Sequence, residues 1–152
     1  MEDSESGVTV VIGHSEGDRL SMRVLGRLHV GADDFWDGNW LITPLEVVAG
    51  GFTASVGASL RAEELRDLRL ALEQLDADLQ GEAILESMEG WLSLSLEVGS
   101  SGRLAVRGVV IDRLGSSNRL MFVIEGLDQS SLRGVIEELG EVERRFPVMG
   151  AP

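Results

Sequence analysis

Two stretches of the chain repeat hydrophobic residues every three or four positions, which is the spacing of one face of an α-helix. The first stretch predicts a helix over residues 61–80, followed by Gly81 as a left-handed stop. The second predicts a helix over residues 128–146, with Asp128 as its N-cap and Pro147 as its terminator. We expect the buried faces of the two helices to be Leu65, Leu68, Leu72, Leu75 and Leu79, and Leu132, Val135, Leu139, Val142 and Phe146.

The segments outside these helices predict antiparallel β-strands. Residues 91–98 alternate apolar and polar side chains, which is typical of a strand with one face in the core and the other in water. The links between segments are short and rich in glycine, so neighbouring strands should pair as hairpins. Pro44 cannot donate a backbone hydrogen bond and predicts an edge or a bulge. The expected strands are 8–13, 18–30, 40–49, 51–60, 82–88, 91–98, 102–112 and 118–126.

The order of these elements predicts an α+β fold, with about eight mostly antiparallel strands in curved sheets and two amphipathic helices packed on them. The helical stripes align position for position, Leu65 with Leu132 and Leu79 with Phe146. Two pseudo-repeated ββββα units would explain this match, and so would a chance alignment of two amphipathic helices. At 152 residues the chain is expected to form a single domain over 1–152, with residues 1–7 disordered.

The charge balance bears on the choice of partner. The chain has 26 acidic residues against 13 basic ones, all of them arginine, and a formal net charge of −13. Such a field disfavours nucleic acid and anionic membranes as partners and favours a basic protein, although acidity also serves solubility alone. The absence of cysteine excludes disulfides and fits a reducing compartment. The polar start and the short apolar runs predict no secretory signal and no membrane span, so we expect a cytoplasmic protein.

Motifs for catalysis, metals or cofactors are weak in this sequence. His14 and His29 stand in or beside predicted strands without a recognisable catalytic motif. Asp33, Asp34 and Asp37 could hold a hard cation, but this stretch lacks the further acidic ligands of a tight calcium site. We therefore expect no enzyme activity, no cofactor and no metal. The sequence gives no indication of the oligomeric state.

The stretch from Asp33 to Trp40 concentrates rings and carboxylates in a chain that is only 5% aromatic. Large rings beside acids can form a recognition surface for a basic partner, since tryptophan offers a large contact area and carboxylates pair with arginine or lysine. The alternative is that the rings anchor a strand in the core, which we expect for Trp40 and Trp91. The candidate partner-binding residues are Asp33, Asp34, Phe35, Trp36 and Asp37.

The same stretch carries a family resemblance. Residues 35–41, Phe-Trp-Asp-Gly-Asn-Trp-Leu, resemble the Trp-Asp-Gly-Asn-Trp-Leu segment of WapI-like bacterial immunity proteins, which protect against wall-associated contact-dependent toxins. Weaker similarities follow in order at residues 50–52, 81–83, 118–122, 127–130 and 145–148. The resemblance implies a protein that binds and neutralises a toxin domain, commonly a nuclease, without chemistry of its own. The alternative is a small ligand-binding or scaffold domain of unknown role.

Overall fold

Eleven strands and three helices occupy residues 7–152, the part of the chain that the computed structural model describes. The strands are β1 Val8–Gly13, β2 Arg19–Val24, β3 Gly26–Arg27, β4 Trp40–Ile42, β5 Leu45–Ala49, β6 Phe52–Val56, β7 Ser59–Arg61, β8 Gly81–Glu86, β9 Leu92–Val98, β10 Arg103–Ile111 and β11 Arg119–Asp128. The helices are α1 Phe35–Gly38, α2 Ala62–Asp78 and α3 Ser131–Arg145. The predicted α+β class is confirmed. The disorder expected for residues 1–7 lies outside the described residues, except at Gly7.

The strand number exceeds the expected eight because three of the expected strands bend and divide. The breaks fall at Leu25, at residues 43–44 and at residues 57–58. Pro44, predicted at an edge or a bulge, lies in the second break, where its missing N–H leaves the ladder open. Hydrogen bonds cross the bend from Leu25 N to Ile42 O (2.9 Å) and from Thr43 N to Ala58 O (3.0 Å). The small sheet β3-β4-β7 is therefore the bent continuation of the first sheet, β1-β2-β5-β6.

The two halves of the chain share one topology. The first sheet and its bent continuation form an antiparallel meander that ends in α2, and the second sheet, β11-β10-β9-β8, forms a meander that ends in α3. The helices are exchanged between the sheets, since α2 lies against β8 and α3 against β1. The helices also pack on each other, where Arg69 pairs with Glu143 (2.6 Å). The ββββα pattern expected from the aligned stripes is present in the order of the elements.

Both helices differ from prediction at one end. Leu79 was expected in the buried stripe, but it is 48% exposed, because its left-handed backbone (φ 60°) ends α2 before the chain reaches Gly81. The second helix begins at Ser131, so Asp128 is not its N-cap. Asp128 remains paired with Arg103 in the β10–β11 ladder, and its carboxylate accepts a hydrogen bond from Ser130 N (3.0 Å) instead. The remaining stripe leucines and valines are buried, whereas Phe146, at the C-cap of α3, is only partly buried against the core. As predicted, α3 stops just before Pro147.

Two partly buried carboxylates fasten the helices to backbone groups. Glu138 of α3 accepts a hydrogen bond from Val11 N (2.8 Å) on the edge strand β1. Glu64 of α2 accepts two, from Arg61 N (2.9 Å) and from Met88 N (2.6 Å) after β8. Burial raises the pKa of both glutamates above the ordinary value, since it penalises the charged form.

Candidate functional site

The candidate residues form a short helical turn and the loop before it. Asp34 caps α1, because its Oδ2 accepts a hydrogen bond from Asp37 N (3.2 Å). Asp33, Asp34 and Asp37 are exposed, and Trp36 is 55% exposed. Phe35 is half-buried and meets Trp36 edge to face, with ring centroids 5.0 Å apart. The chain thus presents one indole ring among three carboxylates.

A fully buried arginine supports this turn from below. Arg61 donates from Nη1 to Trp36 O (2.9 Å) and from Nη2 to Phe35 O (2.7 Å), and its Nε pairs with Glu63. Its guanidinium carbon lies 5.2 Å from the centroid of the Phe35 ring, 5.7 Å from Trp36 and 4.7 Å from Trp40. Guanidinium groups are attracted to ring faces and donate in a planar fork, so one side chain holds both the backbone and the rings of α1.

Strand pairing explains why the arginine is there. The β4–β7 register places Arg61 opposite Trp40, so both side chains lie on the outer face of the small sheet, beneath α1. Trp40 was expected in the core, yet it is only half-buried, because its ring covers the guanidinium group. Trp91, by contrast, is buried as expected, at 8% exposure.

Hydrogen bonds to the C-terminal segment of the chain hold the C-terminal end of α1. Asn39 is fully buried and donates from Nδ2 to two carbonyl oxygens, one in α1 (2.9 Å) and that of Met149 (3.0 Å). Its Oδ1 accepts a hydrogen bond from Met149 N (2.8 Å). Arg27 donates to the carbonyl oxygens of Gly38 and Pro147, both at 2.7 Å. Much of the Trp-Asp-Gly-Asn-Trp segment therefore shapes and anchors the loop.

Exposed apolar side chains accompany the carboxylates. Val30 is 92% exposed, Leu28 45% and Ile42 39%. Leu28 donates its N–H to Trp40 O (2.8 Å), and Ile42 lies two residues beyond Trp40 on the same face of β4. No arginine or lysine occurs between Arg27 and Arg61 in the sequence. We call the exposed part of this region, formed by Asp33, Asp34, Phe35, Trp36 and Asp37, the Trp36 surface.

The structure places the two histidines in different parts of the fold. The His14 ring is 2.7 Å from the carbonyl oxygen of Glu125, at a bulge of β11 where Gly126 has a φ of 81°. His29 is exposed in the loop after β3. Among residues 7–152, no three His, Asp or Glu side chains are grouped so that they could hold a metal ion.

Two surface hollows bear on the alternative of a small-ligand protein. One, of about 590 Å³, lies on the first sheet and includes Arg19, Arg23 and Glu46. The other, of about 780 Å³, lies between α2 and α3 and includes Glu73 and Glu143. Both are lined largely by charged or hydroxyl side chains, whereas ligand pockets are mostly apolar with a few polar groups. These hollows do not favour a ligand-binding domain.

Sequence reasoning missed the two residues that organise the site. Arg61 reads as an ordinary charged residue at a helix start, where arginines are usually solvated. Asn39 reads as part of a turn beside Gly38. The available signal was the cluster of three rings within six residues, since ring faces without enough apolar neighbours can be covered by a cation.

The family model described as "Immunity protein WapI-like family" matches residues 11–147 of the 152-residue chain. No curated protein and no solved structure gives a significant match. None of the helices within residues 7–152 combines the length and the apolar character needed to cross a bilayer.

Proposed function

The chain belongs to the immunity protein WapI-like family, and from this membership we propose that it neutralises a toxin domain with a basic surface by covering that surface with the Trp36 surface. Neutralisation of a toxin is the general function that the family indicates. Neutralisation occurs by occlusion of the toxin surface and without catalysis. A nuclease domain suits this role, because a surface that grips nucleic acid is basic. The lack of cysteine fits an encounter in the reducing cytoplasm.

Charge supports the choice of a basic partner. A net charge of −13 attracts a cationic domain at long range and speeds its encounter. The stretch between Arg27 and Arg61 supplies carboxylates and neither arginine nor lysine, so its local charge has the same sign as the net charge of the chain. Asp33, Asp34 and Asp37 are exposed and accessible to a partner's arginine or lysine.

The rigidity of the turn supports the choice of surface. Tryptophan is among the residues that most often dominate binding energy, particularly when it is held in place before binding. Trp36 is exposed on one side and held on the other by the guanidinium group of Arg61. The partner therefore meets an ordered ring, and little conformational entropy is lost on binding. This partly exposed, preorganised indole among carboxylates is the observation that carries the proposal.

The experiment begins with a toxin domain encoded next to the gene for this chain. Co-expression should protect cells from that domain, and the purified proteins should inhibit in a one-to-one ratio. A catalytic antidote would inhibit below that ratio, which would overturn the non-catalytic mechanism.

Association kinetics then test the surface. We expect Asp33→Lys/Asp37→Lys to lower the association rate constant at least about tenfold at low salt, because it removes local steering. The matched control is Glu16→Lys/Glu89→Lys, which changes the net charge equally at two exposed turn positions elsewhere. Equal losses in the two variants would show that only total charge matters and would reject this location.

The aromatic contribution is tested separately. Trp36→Ala keeps the carbonyl oxygen that Arg61 binds, so the fold should persist. We expect it to weaken toxin binding by about 2 kcal/mol or more, mainly through faster dissociation. The control is Phe52→Ala, a ring that is 67% exposed on β6. Unchanged affinity for Trp36→Ala would exclude this ring from the interface.

A further inference from the structure

Strand β6 lies at the edge of the first sheet. Among residues 7–152 it pairs with β5 alone, in a regular register that joins Ala49 to Phe52 across a two-residue turn. The closing pair of such a hairpin is hydrogen-bonded, and hydrogen-bonded and non-hydrogen-bonded pairs then alternate along the ladder. The backbone groups of Phe52 and of every second residue after it therefore face β5. The N–H and C=O groups of Thr53 and Ser55, which are both exposed, face away from the sheet.

This edge has none of the features that usually prevent an edge strand from pairing with another chain. Such features are charged side chains, proline and bulges. Residues 47–60 contain no charged residue and no proline, and the β5–β6 ladder has no register shift. Three other edge strands are protected: Val11 N of β1 donates to Glu138, β8 carries Glu82, and β11 has a bulge at Glu125.

An exposed ring and an apolar hollow lie on one side of this edge. Phe52 is 67% exposed and shares a face of β6 with Ala54 and with Val56, which is buried. Ala54 and Val56 line a hollow of about 170 Å³ with residues 110–112 and 118–120 of the second sheet, mostly through apolar side chains. Phe52 does not line this hollow in its own chain.

We propose that β6 pairs antiparallel with β6 of a second copy of the chain, about a two-fold axis at Ala54. Thr53 of each copy then lies opposite Ser55 of the other, and each such pair exchanges two backbone hydrogen bonds. Phe52 lies opposite Val56 of the other copy on the same face, so its ring is placed at the hollow beside Val56. The edge is thus self-complementary, as a two-fold homodimer requires.

The distribution of charge favours a second copy as the occupant. Two molecules of net charge −13 repel each other wherever their acidic faces meet. Residues 47–60 are the longest stretch of the sequence without a charged side chain, so pairing along it does not bring like charges into contact. A basic toxin domain, by contrast, would gain no ion pair from this stretch and would be attracted to carboxylates instead.

The nearest acid of the first sheet stays clear of its counterpart in the dimer. Glu46 lies opposite Ser55 on β5, so the two copies of Glu46 are three strand spacings across and two residues along from each other. That separation is roughly 16 Å, about twice the screening length at 0.15 M salt. The contact itself is small, with strands of five residues and one ring from each copy. We expect a weak dimer, with a dissociation constant on the order of 100 μM.

Sedimentation velocity on the full chain without toxin, from roughly 1 to 500 μM at about 0.15 M salt, tests for this dimer. We expect the weight-average sedimentation coefficient of wild type to rise with concentration. Ser55→Pro should raise the dissociation constant at least about tenfold, because it removes an N–H that bonds the other copy and none that bonds β5. Ser55→Ala, the matched control, keeps that N–H and should stay within about twofold of wild type. A monomeric wild type, or a dimer that Ser55→Pro leaves unchanged, would overturn the proposal.

The ring is tested by a second pair of variants. Phe52→Ala should raise the dissociation constant at least about tenfold, because the hollow of the other copy loses its occupant. Met121→Ala removes an apolar side chain that is 79% exposed on β11 and should leave the dimer unchanged. Equal effects of the two variants would exclude the contact between Phe52 and the hollow.

Disulfide trapping tests the register and does not depend on the proline variant. The chain has no cysteine, so a single introduced cysteine reports one contact. In the proposed pair the Cα atoms of the two Ala54 residues are about 4.5 Å apart, whereas those of the two Ser55 residues are roughly 8 Å apart, beyond disulfide reach. With oxidised glutathione, Ala54→Cys should form a covalent dimer and Ser55→Cys should not, although Ser55 is the more exposed. Equal trapping, or the reverse order, would reject the register.

Toxin binding distinguishes this proposal from the proposed function. The dimer is measured on the chain alone, and toxin binding is measured through the Trp36 surface, so either can fail without the other. Ser55→Pro, shown by circular dichroism to be folded, should bind the toxin domain as wild type does. A monomeric wild type whose toxin affinity falls with Ser55→Pro would assign the β6 edge to the toxin and overturn the dimer.

Discussion

Replacing Arg61 by alanine tests the packing beneath the Trp36 surface most directly. The side chain is 1% exposed, and its loss leaves the Glu63 carboxylate, 12% exposed, without its cation. Removing one member of a buried ion pair typically costs about 3–5 kcal/mol. The carbonyl oxygens of Phe35 and Trp36 also lose their donors. We therefore expect the free energy of unfolding to fall by at least about 3 kcal/mol.

Urea denaturation at neutral pH, followed by circular dichroism and by tryptophan fluorescence, measures this loss. The matched control is Arg66→Ala, because Arg66 lies in the first turns of α2, shortly after Arg61, and among the described residues it pairs with the exposed Asp67 alone (3.1 Å). The control should stay within about 0.5 kcal/mol of wild type. Arg61→Lys should be intermediate, since an ammonium group keeps the charge but cannot donate in a planar fork. If the free energies of unfolding of Arg61→Ala and Arg66→Ala differed by less than about 1 kcal/mol, the supporting role assigned to Arg61 would be wrong.

The remaining predictions concern the core and the buried carboxylates. Glu138→Gln keeps an oxygen for its single N–H partner and does not titrate. Because burial raises the pKa of Glu138, the wild-type free energy of unfolding falls as the pH rises from the ordinary glutamate pKa through the raised one. In urea titrations the free energy of unfolding of the variant, relative to that of wild type, should therefore increase between about pH 4 and 7. Glu64→Gln has one oxygen for two N–H partners and should lose about 1–3 kcal/mol at neutral pH. Leu72→Ala, in the core, should lose about 2–5 kcal/mol, and the half-exposed Leu70→Ala less than about 1 kcal/mol, by the same measurement. Gly108→Ala should lower the thermal midpoint, because a Cβ there would lie 2.3 Å from the Phe122 ring.

The regular parts of the fold could be predicted because a local pattern determines them. Period-two alternation gave β9 almost to the residue, and the leucine stripe gave α2 to within two residues at each end. Of the three bends of the first meander, the sequence indicated only the one at Pro44, because a bend depends on pairing with neighbouring strands as well as on local residues. The start of α3 was missed for the same reason. Asp128 is a good N-cap in isolation, but the ladder to Arg103 holds it in β11.

The candidate site could be predicted only in part. The carboxylates and Trp36 were identified from composition, and the structure places them together at an exposed turn. Arg61 lies more than twenty residues further along the chain, and only the β4–β7 register brings it beneath the rings. A contact of that kind depends on the tertiary fold and leaves no local signal in the sequence. Whether the surface binds a toxin remains a prediction.

The exchange of helices between the two meanders makes the halves of the chain mutually dependent. Each half encodes its own strands, but the edge strand β1 is covered by α3, and β8 is flanked by α2. A cut in the short link before Gly81 would therefore yield two fragments, the first lacking the helix that covers β1 and the second lacking the helix that flanks β8. Such fragments should be insoluble when produced singly and should reassemble when produced together, which is fragment complementation.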